Sequence, residues 1–158
     1  MRRVAWFAIV SMLSCGTSLF AQGRDVAAGG GQSVTYVFGF SVTKSPTSED
    51  VRGHIYIKNL LSGAFLEAVP VCAAISETPT RDPAVTIGRA RIVATVTSGN
   101  LLPPGSNIFV SAQDSDPVDQ FGYMQAPFSD CISGADVGAG EPVLRGNVLV
   151  RDHNGIAK

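Results

Sequence analysis

Large apolar side chains recur at every second position early in the chain. Val34, Tyr36, Phe38, Phe40 and Val42 alternate with Thr35, Val37, Gly39 and Ser41. A period of two with β-favouring residues on one side predicts a half-buried strand. After the polar turn segment TKSPTSED the alternation resumes: Val51, Gly53, Ile55 and Ile57 oppose Arg52, His54, Tyr56 and Lys58. LLSG then leads into AFLEAVPVCAAI, which predicts a hairpin. Pro70 has no N–H to give to a ladder, so this second strand is expected to run along an edge or to bulge there.

ETPTRDP breaks the pattern before AVTIGRARIVATVT, a run long for one strand. Its apolar positions change parity near Gly88, which predicts a bend or bulge at that glycine. SGNLLPPGSN reads as a loop, IFVSAQ as a strand, DSDPVD as a connection and QFGYMQA as a strand. PFSDCISGADVGAGEP reads as a long irregular loop. VLRGNVLVRD closes the chain as a strand with Leu144, Val148 and Val150 on the core side. No helical period is sustained outside the N-terminal segment. The expected fold is therefore all-β, an antiparallel β-sandwich of about seven strands, with a small β-barrel as the alternative.

The N-terminal segment changes this picture. MRRVAWFAIVSMLSCGTSLFAQG runs from Arg2 and Arg3 through an apolar stretch to small and polar residues, the order of a secretory signal peptide. Its apolar part is shorter than the ~20 residues of a permanent transmembrane helix. Residues 1–21 are expected to be a leader cleaved after Ala21. Residues 22–33, QGRDVAAGGGQS, form a Gly-rich flexible lead-in, 34–152 the β domain and 153–158 a tail. A second reading takes MLSC as a loose lipobox and anchors the protein through a lipid on Cys15. The paired arginines belong to the ordinary positive end of a signal rather than to a twin-arginine motif. Either way the chain is exported, to the periplasm or the medium, with no membrane span in its mature form.

Removing the leader leaves ten basic and thirteen acidic residues. That balance excludes the basic footprint of a nucleic-acid binder. It also leaves two cysteines, Cys72 and Cys131, and an even count in an exported chain predicts a disulfide; two unpaired buried thiols are the alternative. A bridge across that sequence separation would stabilise the fold by about 4 kcal/mol in the chain-entropy picture.

Candidate chemistry centres on Asp114, Asp116 and Asp119. Alternating aspartates can offer oxygens to calcium, with Asp130 or Asp136 completing a shell. The EF-hand pattern fails, since Val118 stands at the fifth position, Asp119 at that of the turn glycine and Gln125 at that of the final Glu. As a turn, DSDPVD needs no ligand: its aspartates can bond nearby amides and Pro117 fixes its own φ. Catalysis by these carboxylates would need burial to separate their pKa values. His54 and His153 are the only histidines, both expected at the surface, and no GxSxG elbow is present. The glycine clusters at 29–31 and 134–140 precede no helix and are not phosphate cradles. Arg89 and Arg91 form a small basic pair on one strand face, expected to be solvated or paired with carboxylates.

The strands VFGFSV and RGHIYIKN, the segment VPVC, the strand IFVSA running into an acidic turn, SDC, and the closing RGNVLVRD together resemble the post-COAP family of small exported bacterial β-domains. The likeness spans about Val34 to Asp152. It implies an all-β domain with a cysteine after the third strand and another before the last, matching Cys72 and Cys131. The acidic turn departs from it: relatives carry a DNG-type turn, whereas Ser115, Asp116 and Pro117 follow Asp114 here. The resemblance implies no catalytic residues. The expectation is a non-enzymatic binding or structural module, without a cofactor, that meets an envelope or extracellular protein or a glycan. A calcium-stabilised adhesion-type module and an unrecognised hydrolase are the alternatives.

Overall fold

The computed structural model describes residues 23–45, 48–82, 85–126, 131 and 140–153. The expected leader, Cys15, Asp130, Asp136 and the end of the tail lie outside these residues. The described chain forms β1 (Asp25–Gln32), β2 (Tyr36–Lys44), β3 (Val51–Asn59), β4 (Phe65–Pro79), β5 (Thr86–Gly99), β6 (Asn107–Asp114), β7 (Gln120–Gln125), β8 (Glu141–Pro142) and β9 (Arg145–Arg151). All pairings are antiparallel, in the order β8-β7-β6-β5-β4-β3-β2-β1-β9. The expected all-β fold is present. In place of two sheets with about seven strands there is one nine-stranded sheet curled into a half-barrel.

Alternation sets the inner face. Phe38, Phe40 and Val42 of β2, Ile55 and Ile57 of β3, Ile108 and Val110 of β6, Phe121 of β7 and Val148 and Val150 of β9 are all buried in one core. The curl brings β2 over β7, where the Phe38 and Phe121 rings stack with centroids 3.9 Å apart and planes 2° from parallel. Both rings are buried, so their contact joins the two sides of the core.

Four local expectations need correction. Residues 25–32, expected within the flexible lead-in, form β1, which pairs with β2 on one side and β9 on the other. The glycines hide this strand because they carry no side chains to alternate. At Gly29 smallness is required: a Cβ there would lie 2.8 Å from the Asn147 carbonyl oxygen and 2.9 Å from the Phe40 ring. The predicted change of face at Gly88 does not occur, since Ala90, Ile92, Ala94 and Val96 continue its buried parity along β5. Gly88 instead marks where β9 crosses, since a Cβ there would be 2.6 Å from the Val150 Cβ. Val93 interrupts the sequence pattern because it is buried on the opposite face. Lastly, Leu144 is 60% exposed rather than in the core, and Val34 lies before β2 with its side chain exposed.

The irregularity expected at Pro70 is present. The register between β4 and β5 shifts between Pro70 and Cys72, leaving Val71 as an extra residue. The inner face of β4 therefore passes from Leu66, Ala68 and Pro70 to Ala73 and Ile75. The same shift turns Cys72 outward. There it joins Cys131 across a Cα–Cα distance of 5.9 Å. Val93, Phe109, Ala126 and Cys131 make a second small core around this bridge on the outer face.

Candidate functional site

Among the described residues β9 ends the sheet and pairs only with β1. In an antiparallel strand alternate residues send their N–H groups to opposite sides, so half of those on β9 face away from β1. Val148 and Val150 are two apart and share that direction. Their amides end on the acidic turn: Val148 N–H donates to Asp119 Oδ2 at 2.7 Å, and Val150 N–H to Asp114 Oδ2 at 3.2 Å. The two aspartates flank the β6–β7 connection and stand in for the strand that would otherwise close the sheet. An edge is thereby covered by side chains where no ladder is available.

The turn also fastens itself. Ser115 N–H donates to Asp119 Oδ1 at 3.0 Å, and the Ser115 hydroxyl donates to the Val118 carbonyl at 2.8 Å. Val143 N–H donates to the Asp119 carbonyl at 2.9 Å, which draws the connection between β8 and β9 onto the same turn. Asp119 thus uses both carboxylate oxygens and its carbonyl in closure. This is the local amide bonding that aspartate-rich turns predict, extended to a strand remote in sequence.

The three candidate aspartates line a cleft of about 350 Å³ with Ser115, Val118, Val143, Gly146 and Asn147. Among the described residues, no group of three or more His, Cys, Asp or Glu side chains is arranged to hold a metal ion. Asp114 and Asp119 are committed to backbone amides, and Asp116 is exposed and lines the cleft.

A second carboxylate does related work nearby. Glu141 of β8 accepts bonds from the Thr35 amide at 2.9 Å and from the Thr35 hydroxyl, tying β8 to the β1–β2 turn. Burial pushes its carboxyl up, but bonds from the Thr35 hydroxyl and amide, the Ser33 hydroxyl and the Val34 amide outweigh burial. They hold it below the usual carboxylate range. Sequence reasoning passed over Glu141; a lone Glu beside a proline carries no signal of its partners. At the margin of the core, the partly buried Tyr36 and Tyr123 rings meet edge to face at 4.9 Å. Burial first, then the neighbouring Tyr36 phenol and its hydrogen bond, push Tyr123 up to about 12.

The remaining candidates do not gather at the turn. His54 is exposed on β3; His153 is exposed and its amide donates to the buried Asp25 carboxylate at 3.0 Å. Arg89 and Arg91 point outward from β5, with Arg89 exposed. Gly29, Gly30 and Gly31 belong to β1, and residues 134–139 lie outside the described residues.

Together these features define an all-β protein whose curled antiparallel sheet is fastened by one disulfide and by carboxylates at its free edge. Comparison with known protein families, curated proteins and solved structures finds no match to the chain. Among the described residues no helix is long and apolar enough to cross a membrane.

Proposed function

We propose that the protein is an exported, non-catalytic binding or structural module of the cell envelope or extracellular space. The observation that carries this reading is the use of the acidic cluster. Two of the three carboxylates most suggestive of chemistry in the sequence, Asp114 and Asp119, are spent on the amides of β9 and so serve the scaffold. The Cys72–Cys131 bridge supports the exported part, because such bonds persist in oxidising compartments. The post-COAP likeness adds no activity to this proposal, and its partner class stays an envelope or extracellular protein or a glycan.

Expression of the full chain in a bacterial host, followed by fractionation and intact-mass measurement, tests export. A periplasmic, surface or medium fraction with residues 1–21 removed and the bridge formed is expected. A cytosolic protein with its leader uncut overturns the reading.

The aspartate-lined cleft favours one other reading, a calcium-stabilised module using Asp114, Asp116 and Asp119. Millimolar calcium would then raise the melting temperature relative to chelator, as any ligand that prefers the folded state does. An unchanged midpoint eliminates it.

A further inference from the structure

The connection between β3 and β4 bonds all of its own amides. Asn59 Oδ1 accepts from Leu61 N–H and Ser62 N–H at 2.9 Å each, and the Asn59 carbonyl accepts from Gly63 N–H at 2.9 Å. Ala64 N–H donates to the Ser62 hydroxyl at 3.2 Å, and Leu60 N–H to the Thr35 carbonyl at 2.9 Å. Gly63 permits the turn with a φ of +71°. From Leu60 to Ala64 every N–H is thus spent within the protein, and the tip is held rather than loose. Yet Leu61 stands 89% exposed on it, beside the exposed Leu60.

Two further connections bring apolar side chains to the same end of the sheet. The Leu60–Thr35 bond sets the tip against the β1–β2 turn, where Val34 is 61% exposed. Leu144, 60% exposed, is fixed beside that turn by its N–H bond to the Gln32 carbonyl at 2.8 Å. These are the three most exposed large apolar residues among those described. The turn's amides are spent as well: Ser33 N–H on the Tyr36 carbonyl, Val34 and Thr35 N–H on Glu141. Clustered apolar exposure of this kind marks an interaction surface.

Charge and bonding select the occupant. Lys58 and Arg145 are exposed, adjoin Leu60 and Leu144, and take part in none of the ion pairs among the described residues. Leu144 and Arg145 stand outside the acidic cleft that Val143, Gly146 and Asn147 line. Glu141 is turned onto Thr35. A second copy would set like cations together, and a protein strand or a glycan would find no main-chain donor on the tip. A lipid surface needs none. Its interface takes apolar side chains, satisfied amides enter it without losing a bond to water, and cations meet anionic headgroups.

We propose that this end of the protein seats on an anionic lipid surface. Leu60 and Leu61 enter the boundary between headgroups and acyl chains, Val34 and Leu144 lie beside them, and Lys58 and Arg145 meet the phosphates. The contact adds a lipid partner to the binding-module reading and does not depend on export.

Sedimentation of the purified, oxidised chain with vesicles of phosphatidylcholine, alone or mixed equally with phosphatidylglycerol, tests it, with amide hydrogen exchange on the bound protein. Binding to the mixed vesicles is expected, weakened by salt, with less binding to the neutral ones. The Leu60 to Ala64 amides should slow on the vesicles. Leu61→Asp, at a position too exposed to unsettle the fold, should weaken binding by about tenfold or more. Val69→Asp, the same kind of change on the outer face of β4, should leave binding as it was. Leu61→Trp should strengthen it, which separates insertion from a folding defect. Lys58→Gln with Arg145→Gln should lower affinity for the anionic vesicles only. A chain that binds neither vesicle overturns the inference. So does binding that Leu61→Asp leaves intact, which assigns the lipid affinity to another segment. Concentration-dependent slowing of the Leu61 and Ser62 amides without lipid overturns it too, by giving this end to a second copy.

Discussion

Two regions hold the curled sheet together, and they do so by different physics. On the outer face, Cys72 and Cys131 join a covalent bridge to a small apolar cluster with Val93, Phe109 and Ala126. At the end of the sheet, Asp114 and Asp119 hold β9 through hydrogen bonds to two backbone amides. The bridge restricts the unfolded chain as well as the folded one. The carboxylates act only once β9 has arrived, and their loss leaves amides without acceptors. A topological constraint and a polar cap can therefore serve one architecture while responding to different perturbations.

The largest expected effect comes from breaking the bridge. Reduction, or Cys72→Ala with Cys131→Ala, should lower unfolding free energy by about 4 kcal/mol in urea titration. Asp119→Ala should follow at about 2–3 kcal/mol, because the Val148 and Ser115 amides both lose a charged acceptor. Matching losses for these two changes would make polar closure the equal of the covalent one. Asp114→Ala, which strands only the Val150 amide, should cost about 1–2 kcal/mol by the same titration.

The smallest effect sharpens the comparison by pH. Glu141 is held below its ordinary value of 4.5 in the folded protein. Its contribution is therefore fully present above that ordinary value and is lost as pH falls through the depressed one. Urea midpoints of the native chain and Glu141→Gln, taken from neutral to acid pH, should converge on acidification. The disulfide contribution carries no such titration.

The strands that were plain in the sequence are those whose inner and outer residues differ in character. Tyr36 to Val42 and Val51 to Ile57 alternate cleanly because one face meets the core and the other water. β1 was hidden because Gly29 to Gly31 have nothing to alternate, and its glycines answer to the approach of β9 from elsewhere in the chain. β5 misled because Val93 is apolar on the outer face, where it packs under the bridge. The acidic turn was recognised as a turn, but its function in closing the sheet was not. That depends on which amides of β9 lack a partner, and the curl decides this. Cys72 and Cys131 were legible from their number alone, since pairing two cysteines needs no geometry.

The extra residue at Val71 has a consequence for how tolerant the molecule is to indels. Deleting Val71 would leave a regular ladder in which Cys72 still looks outward and Ala73 inward. Deleting Ala74 instead would exchange inside for outside along the remainder of β4, carrying Ile75 into water. The bulge is thus the one point in the middle of this strand where the chain can shorten and keep its phase.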